Sequence, residues 1–155
     1  MPMSQLLFSF QGRLNRKPYW LTSIAIVVLV LILLALALGF AFDREFGKSI
    51  SLVLILVILY IPLLWVGLAL GAKRLHDRSK SAWWLLLFYL VPSLLSGAAN
   101  RMDGGGFILH LAGFAITVWA FVELGCLRGT VGPNQFGPDP LAPLAPPTPG
   151  ASAPR

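Results

Sequence analysis

Two long stretches without a charged side chain constrain the fold of this chain more than any other feature. Residues 21–42 and 50–72 contain no Lys, Arg, Asp, Glu or His. At a rise of 1.5 Å per residue, about 22 helical residues extend roughly 33 Å, enough to cross the hydrocarbon core of a bilayer. Because the bilayer interior offers no partner to an exposed backbone, each stretch is predicted to be a transmembrane helix.

Two further apolar stretches follow, over 82–99 and 107–127. The first is near the lower length limit for a crossing, and Pro92 removes a backbone hydrogen bond near its middle. A re-entrant segment is therefore the alternative. Arg101 and Asp103, beside three consecutive glycines, give the next gap the composition of a loop, which favours a full crossing.

These stretches divide the chain into three parts. We predict an N-terminal interfacial segment over 1–20, an all-α bundle of four transmembrane helices over 21–132, and a proline-rich cytoplasmic tail over 133–155. The composition of 57% hydrophobic and 12% charged residues lies outside the range of soluble proteins. The tail holds eight of the twelve prolines and is predicted to be disordered after residue 140.

Basic residues lie mostly on one side of the predicted bundle. Nine Lys and Arg flank the spans on the side of the termini and of segment 73–80, against three on the other side. Because Lys and Arg are retained inside, that side is predicted to be cytoplasmic, and the net charge of +6 indicates topology rather than nucleic-acid binding. The aromatic pairs Tyr19 with Trp20 and Trp83 with Trp84 are placed as headgroup anchors there.

Apolar and basic residues alternate just before the first span. Phe8 and Phe10 are expected to enter the acyl boundary, while Arg13, Arg16 and Lys17 meet anionic headgroups. A topology signal combined with an anchor is the simpler interpretation, and a specific lipid site is the alternative.

Segment 73–80 is the densest polar stretch, with four cations, one carboxylate and one imidazole in eight residues. Arg74 has the geometry for a bidentate bond to a phosphate, and Asp77 is placed to orient the His76 ring. The plainer interpretation is a positive-inside loop whose Ser81 caps the third helix. Together the two segments give these candidates for a lipid-binding, partner-binding or structural motif: Arg13, Arg16, Lys17, Lys73, Arg74, His76, Asp77, Trp83 and Trp84.

Glu123 is the one acidic residue within an apolar stretch. Intramembrane carboxylates form ion pairs or proton paths. Because Glu123 lies roughly 7 Å from its helix end, we favour pairing with Lys73, Arg74 or His76 over a proton relay. No clustering of ligands predicts a metal or cofactor, and the single Cys126 leaves no internal disulfide.

Three motifs resemble a known family. Residues 12–20 (GRLNRKPYW), residues 73–77 (KRLHD) followed by the paired tryptophans, and residues 132–140 (GPNQFGPDP) are similar, in this order, to the YhaH-like bacterial inner membrane proteins of the DUF805 family. The resemblance implies a multi-pass inner membrane protein and no established activity. Lys73 stands where an Arg is usual, and the glycine that is common before the two tryptophans is missing.

The resemblance also implies that the motif residues have fixed contacts, because cations placed by topology alone need no particular sequence. We expect the three motifs to converge in one cytoplasmic layer beneath the bundle. There, Asn134 or Asp139 is expected to meet an arginine. The candidates are Arg13, Arg16 and Arg74.

Three functions fit these residues. We favour a non-enzymatic membrane module that binds anionic lipid or a partner protein through the basic layer, with a homo-oligomer as one form of partnership. The alternative is a small oligomeric transporter or channel subunit that uses Glu123. An enzyme acting on a lipid headgroup through His76 and Asp77 is the weakest interpretation, because no nucleophile and base lie at a usable spacing.

Overall fold

The computed structural model describes residues 3–42, 50–102 and 105–142, and within these ranges the chain is helical with no β-strand. Three parts of the predictions lie outside the described residues: the loop over 43–49, Asp103, and the predicted disordered tail beyond residue 142. The helices are α1 (Met3–Phe8), α2 (Arg16–Phe42), α3 (Ile50–Asp77), α4 (Leu86–Ala99) and α5 (Phe107–Cys126). The predicted all-α membrane fold is confirmed.

Three of these helices are long and apolar enough to cross a membrane. Their apolar spans are Arg16–Leu38, Ile55–Asp77 and Phe107–Cys126. Helix α4 is shorter, and at 1.5 Å per residue it covers roughly 21 Å, against the ~30 Å of a hydrocarbon core. The third predicted span is thus present as a shorter apolar helix packed on α5.

Both α2 and α3 extend beyond their predicted ends. Helix α2 begins at Arg16 rather than at residue 21, and α3 continues to Asp77 rather than ending at residue 72. The expectation that 73–80 is a loop is therefore wrong for its first five residues. Lys and Arg are good helix formers. The charged ends of Lys73 and Arg74 form hydrogen bonds inside the protein, so these side chains do not need to reach water.

The best-buried residues lie at one end of the bundle. One apolar cluster joins α3 through Ala72 and Leu75, α4 through Phe88 and α5 through Leu124. The outward faces of α2 and α3, by contrast, expose large apolar side chains, as expected where lipid is the solvent. We call residues 9–16, 73–84 and 122–142 the polar end, because the chain's buried charges collect there.

Candidate site at the polar end of the bundle

Asp77 is the centre of a buried ion cluster. Its carboxylate accepts hydrogen bonds from Arg13, with Nε 3.1 Å from Oδ1, and from Arg74, with Nη1 2.7 Å from Oδ2. All three residues are at most 5% exposed. Because a buried charge is stable only when it is paired, this cluster is part of the fold's framework. The expected bond between Asp77 and His76 is wrong, since both carboxylate oxygens bind arginines.

Arginines also bind the carbonyl oxygens at the end of α5. The last carbonyls of a helix lack partners within the helix. Arg74 donates from Nε to Leu124 O at 2.7 Å and from Nη2 to Leu127 O, and Arg16 donates from Nη1 to Cys126 O at 3.0 Å. Positive charge at a helix C-terminus is also favourable to the helix dipole. Side chains of α2 and α3 therefore cap α5.

Arg13 binds the segment that follows α5. Its Nη2 donates to Thr130 O and its Nη1 to Gly132 O, each at 2.6 Å. The Thr130 N–H in turn donates to Asp77 O at 2.8 Å. The planar guanidinium suits several such bonds because its donors are held in a fixed fork. The first, second and third motifs thus meet at Arg13 and Asp77, so the predicted convergence is confirmed, while Arg13, expected to meet headgroups, is buried.

Glu123 lies in the π-helical last turn of α5 and is 3% exposed. Lys80 Nζ is 2.8 Å from its Oε1, and Arg78 Nε donates to the same oxygen. The sequence predicts other partners: Lys73, Arg74 and His76. That prediction is wrong. Because α3 continues to Asp77, Arg74 faces the end of α5. The cations that reach Glu123 are Arg78 and Lys80, which follow the helix.

His76 packs against the third motif. Its ring stacks on Phe136 with centroids 3.9 Å apart and planes 6° from parallel, and its Nδ1 lies 3.3 Å from Gly12 O. Asn134 Nδ2 donates to His76 O at 2.9 Å. Gly137 has a φ of +137°, which favours glycine, and its N–H bonds back to Asn134 O. The third motif is therefore a defined turn on the end of α3.

Asp139 organises the end of that turn. Its carboxylate accepts the N–H groups of Leu141 and Gly132, each at 2.9 Å. These two backbone hydrogen bonds lower the pKa of Asp139 from its usual value. Within the described part of the chain, neither Asn134 nor Asp139 makes the expected hydrogen bond to an arginine. Asn134 Nδ2 donates to His76 O and to the hydroxyls of Ser79 and Thr130, and Asp139 accepts from backbone N–H groups.

The remaining candidates are distributed around this centre. Lys73 donates from Nζ to Gln5 O at 2.6 Å, which connects α1 to α3. Trp84 packs edge to face on Trp119, with Lys80 Nζ 4.8 Å from the centre of its ring. Trp83 is 77% exposed, as an interfacial anchor requires.

The two phenylalanines of the N-terminal segment have different surroundings. Phe8 is exposed at 56%. Phe10 instead packs edge to face on Trp65, with ring centroids 5.0 Å apart. Only Phe8 is thus placed as an acyl-boundary anchor.

Three cations in or next to the polar end stay exposed: Arg16, Lys17 and Arg128. We call them the rim cations. Among the residues that the structure describes, the ion pairs of the polar end involve other cations, and none joins a rim cation to a carboxylate. Arg16 and Arg128 line one cavity, together with Asn15 and Asp139.

The family model described as "Protein of unknown function (DUF805)" matches residues 7–138. The chain belongs to the DUF805 family. The matched range contains the first two motifs, the third motif up to Pro138 and every buried ion pair described above. The family description assigns no activity to them.

The chain is similar to curated DUF805 relatives over most of their length. Inner membrane protein YhaH of Escherichia coli K12 is 30% identical over 84% of this chain and 86% of its own. Uncharacterized protein YiiR of the same strain is 32% identical over 90% of each chain, and inner membrane protein YhaI is 31% identical over 84% of this chain and 85% of its own. No solved structure matches the chain. The family and these relatives thus identify the chain as a membrane protein of unknown function.

Sequence reasoning missed several residues of the site. Arg78 and Lys80 lie in the basic segment, yet their pairing with Glu123 depends on where α3 ends. Arg128 looks like an ordinary flanking cation. Asn15 has a readable signal, because it precedes the first helical turn with a proline three residues later. No group of three or more His, Cys, Asp and Glu suited to a metal occurs within the ranges that the structure describes.

Proposed function

We propose that this chain is a non-enzymatic membrane module that binds anionic phospholipid headgroups through the rim cations, with its polar end facing the cytoplasm. The observation that carries the proposal is the division of the cations. Buried or ion-paired cations stabilise the fold, whereas the three rim cations are exposed and form no ion pair with a described carboxylate. A basic side chain near an anionic membrane surface contributes about 1 kcal/mol to binding.

The position of the rim cations supports headgroup contact. Arg16 and Lys17 form the first turn of α2, and Arg128 follows the end of α5, so all three lie at the ends of membrane-length helices. Trp20, one helical turn further into α2, donates from Nε1 to Gly125 O at 3.0 Å and keeps these two helix ends together. An anionic headgroup at this level meets charge from both helices.

The buried arginines support a scaffold role for the second motif. The guanidinium groups of Arg13 and Arg74 bind Asp77 and backbone carbonyls, so their donors are directed into the protein. Glu123 is likewise bound to Arg78 and Lys80, which favours an ion pair over the proton path of the transporter alternative.

Lipid retention tests the proposal. The protein is placed in nanodiscs with equal amounts of phosphatidylglycerol and phosphatidylcholine, extracted, and its retained lipids are counted by native mass spectrometry. We expect selective retention of phosphatidylglycerol, which Arg16→Gln, Lys17→Gln and Arg128→Gln each reduce about fivefold. Arg101→Gln is the matched control, since Arg101 is exposed beyond α4, away from the rim. Unchanged selectivity in the triple variant would contradict the proposal.

Orientation is tested with the native cysteine. Cys126 is a free, exposed thiol at the end of α5. A membrane-impermeant maleimide should label it in inverted vesicles and not in right-side-out ones. In the control variant Cys126→Ser with Met102→Cys, the new thiol replaces an exposed side chain after α4 and should show the opposite pattern. Labelling of Cys126 from outside would reverse the proposed topology.

A further inference from the structure

A cleft opens between α2, α4 and α5 next to the polar end. Among the described residues, α2 approaches the backbone of α5 only at its π-helical last turn, and it makes no backbone contact with α4. The hydrogen bond from Trp20 Nε1 to Gly125 O joins α2 to α5 at this point. The three helices therefore leave a gap on the bilayer side of that bond.

The cleft is large and mostly apolar. Its volume of about 380 Å³ lies within the usual range of about 300–1,000 Å³ for ligand pockets. Both π-helical turns line it, through Phe88 and Tyr89 of α4 and through Leu124 and Gly125 of α5. π-Helical turns inside α-helices often occur at functional sites. The cleft is thus a candidate site for a membrane ligand.

Two rim cations lie beside the polar end of the cleft. Arg16 is one helical turn before Trp20, and Arg128 is three residues after Gly125. Arg16 Nη1 donates to the oxygen of Cys126, which follows the cleft-lining Gly125. Positive charge and apolar surface are therefore continuous here, and a ligand that matches both has an anionic head and an apolar chain.

Tyr89 adds a hydrogen-bond donor to the wall of the cleft. Its backbone oxygen accepts from Ser93, whereas its hydroxyl makes no hydrogen bond within the described residues. Tyr89 lies five residues beyond Trp84, roughly 7 Å further into the bilayer. A polar donor in apolar surroundings needs an acceptor. The ester carbonyls of a phospholipid supply one, because they lie between the phosphate and the acyl chains.

We propose that the cleft binds one diacyl phospholipid as a specific ligand. Its phosphate contacts the rim cations, one ester carbonyl accepts a hydrogen bond from Tyr89, and one acyl chain lies between α2, α4 and α5. This inference rests on the proposed function and adds the part of the lipid beneath the headgroup. The chain gains packing contacts that an open lipid-facing surface does not offer, since helices surround it on three sides.

Filling the cleft tests where the chain lies. Ser93 and Thr117 are exposed residues that line the cleft from α4 and α5. Their hydroxyls donate to carbonyls of their own helices, so Ser93→Phe and Thr117→Phe should remain folded, which thermal unfolding in detergent checks. Native mass spectrometry from nanodiscs with equal amounts of phosphatidylglycerol and phosphatidylcholine measures retention. Each variant should retain about fivefold less phosphatidylglycerol than wild type, the equivalent of roughly ten lost atom contacts.

Ala115→Phe is the matched control for these variants. Ala115 is exposed on α5 and does not line the cleft, so the same added ring should leave retention unchanged.

Tyr89→Phe tests the hydroxyl and keeps the ring. Diester and diether phosphatidylglycerol of equal chain length share a headgroup, but only the diester has carbonyl oxygens. Wild type should retain the diester lipid about fivefold better, the value of one net hydrogen bond, and Tyr89→Phe should retain both equally. Equal retention of the two lipids by wild type would overturn the inference.

The remaining outcomes separate this inference from the proposed function. If wild type prefers phosphatidylglycerol and the two cleft variants retain as much of it as Ala115→Phe, the inference is overturned and the proposed function stands. If the cleft variants instead lose a dimer that wild type and Ala115→Phe form, a second copy occupies the cleft and the inference is likewise overturned. A wild type without preference for phosphatidylglycerol over phosphatidylcholine would contradict the proposed function itself.

Discussion

Arg13 and Asp77, 64 residues apart in the chain, form a buried ion pair in which Nε lies 3.1 Å from Oδ1. The same carboxylate binds Arg74, and the Arg13 guanidinium continues to Thr130 O. One acidic side chain therefore connects the N-terminal segment, α3 and the C-terminal turn. The polar end depends on Asp77 because two guanidinium groups share its single negative charge.

Asp77→Asn should strongly destabilise the protein. The substitution keeps the shape of the side chain but leaves Arg13 and Arg74 buried without a counter-charge, which typically costs about 3–5 kcal/mol. The free energy of unfolding in detergent micelles, from denaturant titration, measures this loss. Asp139→Asn is the control, since that carboxylate binds only backbone N–H groups at the surface and its loss should be much smaller. Equal stability of wild type and Asp77→Asn would refute the role of the cluster.

Gly129→Ala tests how closely the C-terminal segment packs on this cluster. A Cβ atom at Gly129 would overlap the Asp77 carboxylate. Overpacking of this kind costs about 1–3 kcal/mol, so the thermal midpoint should fall. Gly67→Ala is the matched control, because a Cβ there meets nothing within 4 Å. If both variants unfold at the same temperature as wild type, Gly129 is not in contact with Asp77.

Glu123→Gln should destabilise less than Asp77→Asn. The side chains of Arg78 and Lys80 are 22% and 28% exposed and can turn toward water when their carboxylate is lost. A loss of about 1.5–3 kcal/mol is expected, the usual value of a hydrogen bond to a charged group. Proton flux into liposomes should match that of empty liposomes before and after the substitution. Flux that requires Glu123 would favour the transporter alternative.

Hydropathy located the helices but not their ends. The uncharged stretches predict α2 and α3 because a single segment can satisfy its own backbone hydrogen bonds in a bilayer only as a helix. The same criterion treats Lys73 and Arg74 as residues that must reach water. They stay helical and fully buried because Gln5, Leu124 and Asp77 supply their partners, and no local pattern reveals partners so distant in sequence.

The site was predictable as a set of motifs and not as a set of contacts. Their resemblance to a family correctly predicts that the three motifs meet. The individual pairs follow from where α3 ends, and that single boundary decides that Arg74 binds Asp77 while Arg78 and Lys80 bind Glu123. Asn15 differs from these residues, because the sequence alone indicates why its Oδ1 lacks a partner within the described structure: Pro18 has no N–H to donate.

Thermal unfolding with added lipid tests most directly the claim that buried cations stabilise the fold while rim cations bind lipid. A ligand that binds only the folded state raises the unfolding temperature, and the rise grows with the logarithm of the ligand concentration relative to its dissociation constant. Phosphatidylglycerol titrated into the detergent-purified protein should raise the midpoint of wild type and of Arg101→Gln. The variant Arg16→Gln, Lys17→Gln, Arg128→Gln should begin slightly below the wild-type midpoint, because Arg16 also donates to Cys126 O, and should gain little with lipid. An equal rise in that variant, or an equal rise with phosphatidylcholine in wild type, would contradict the account.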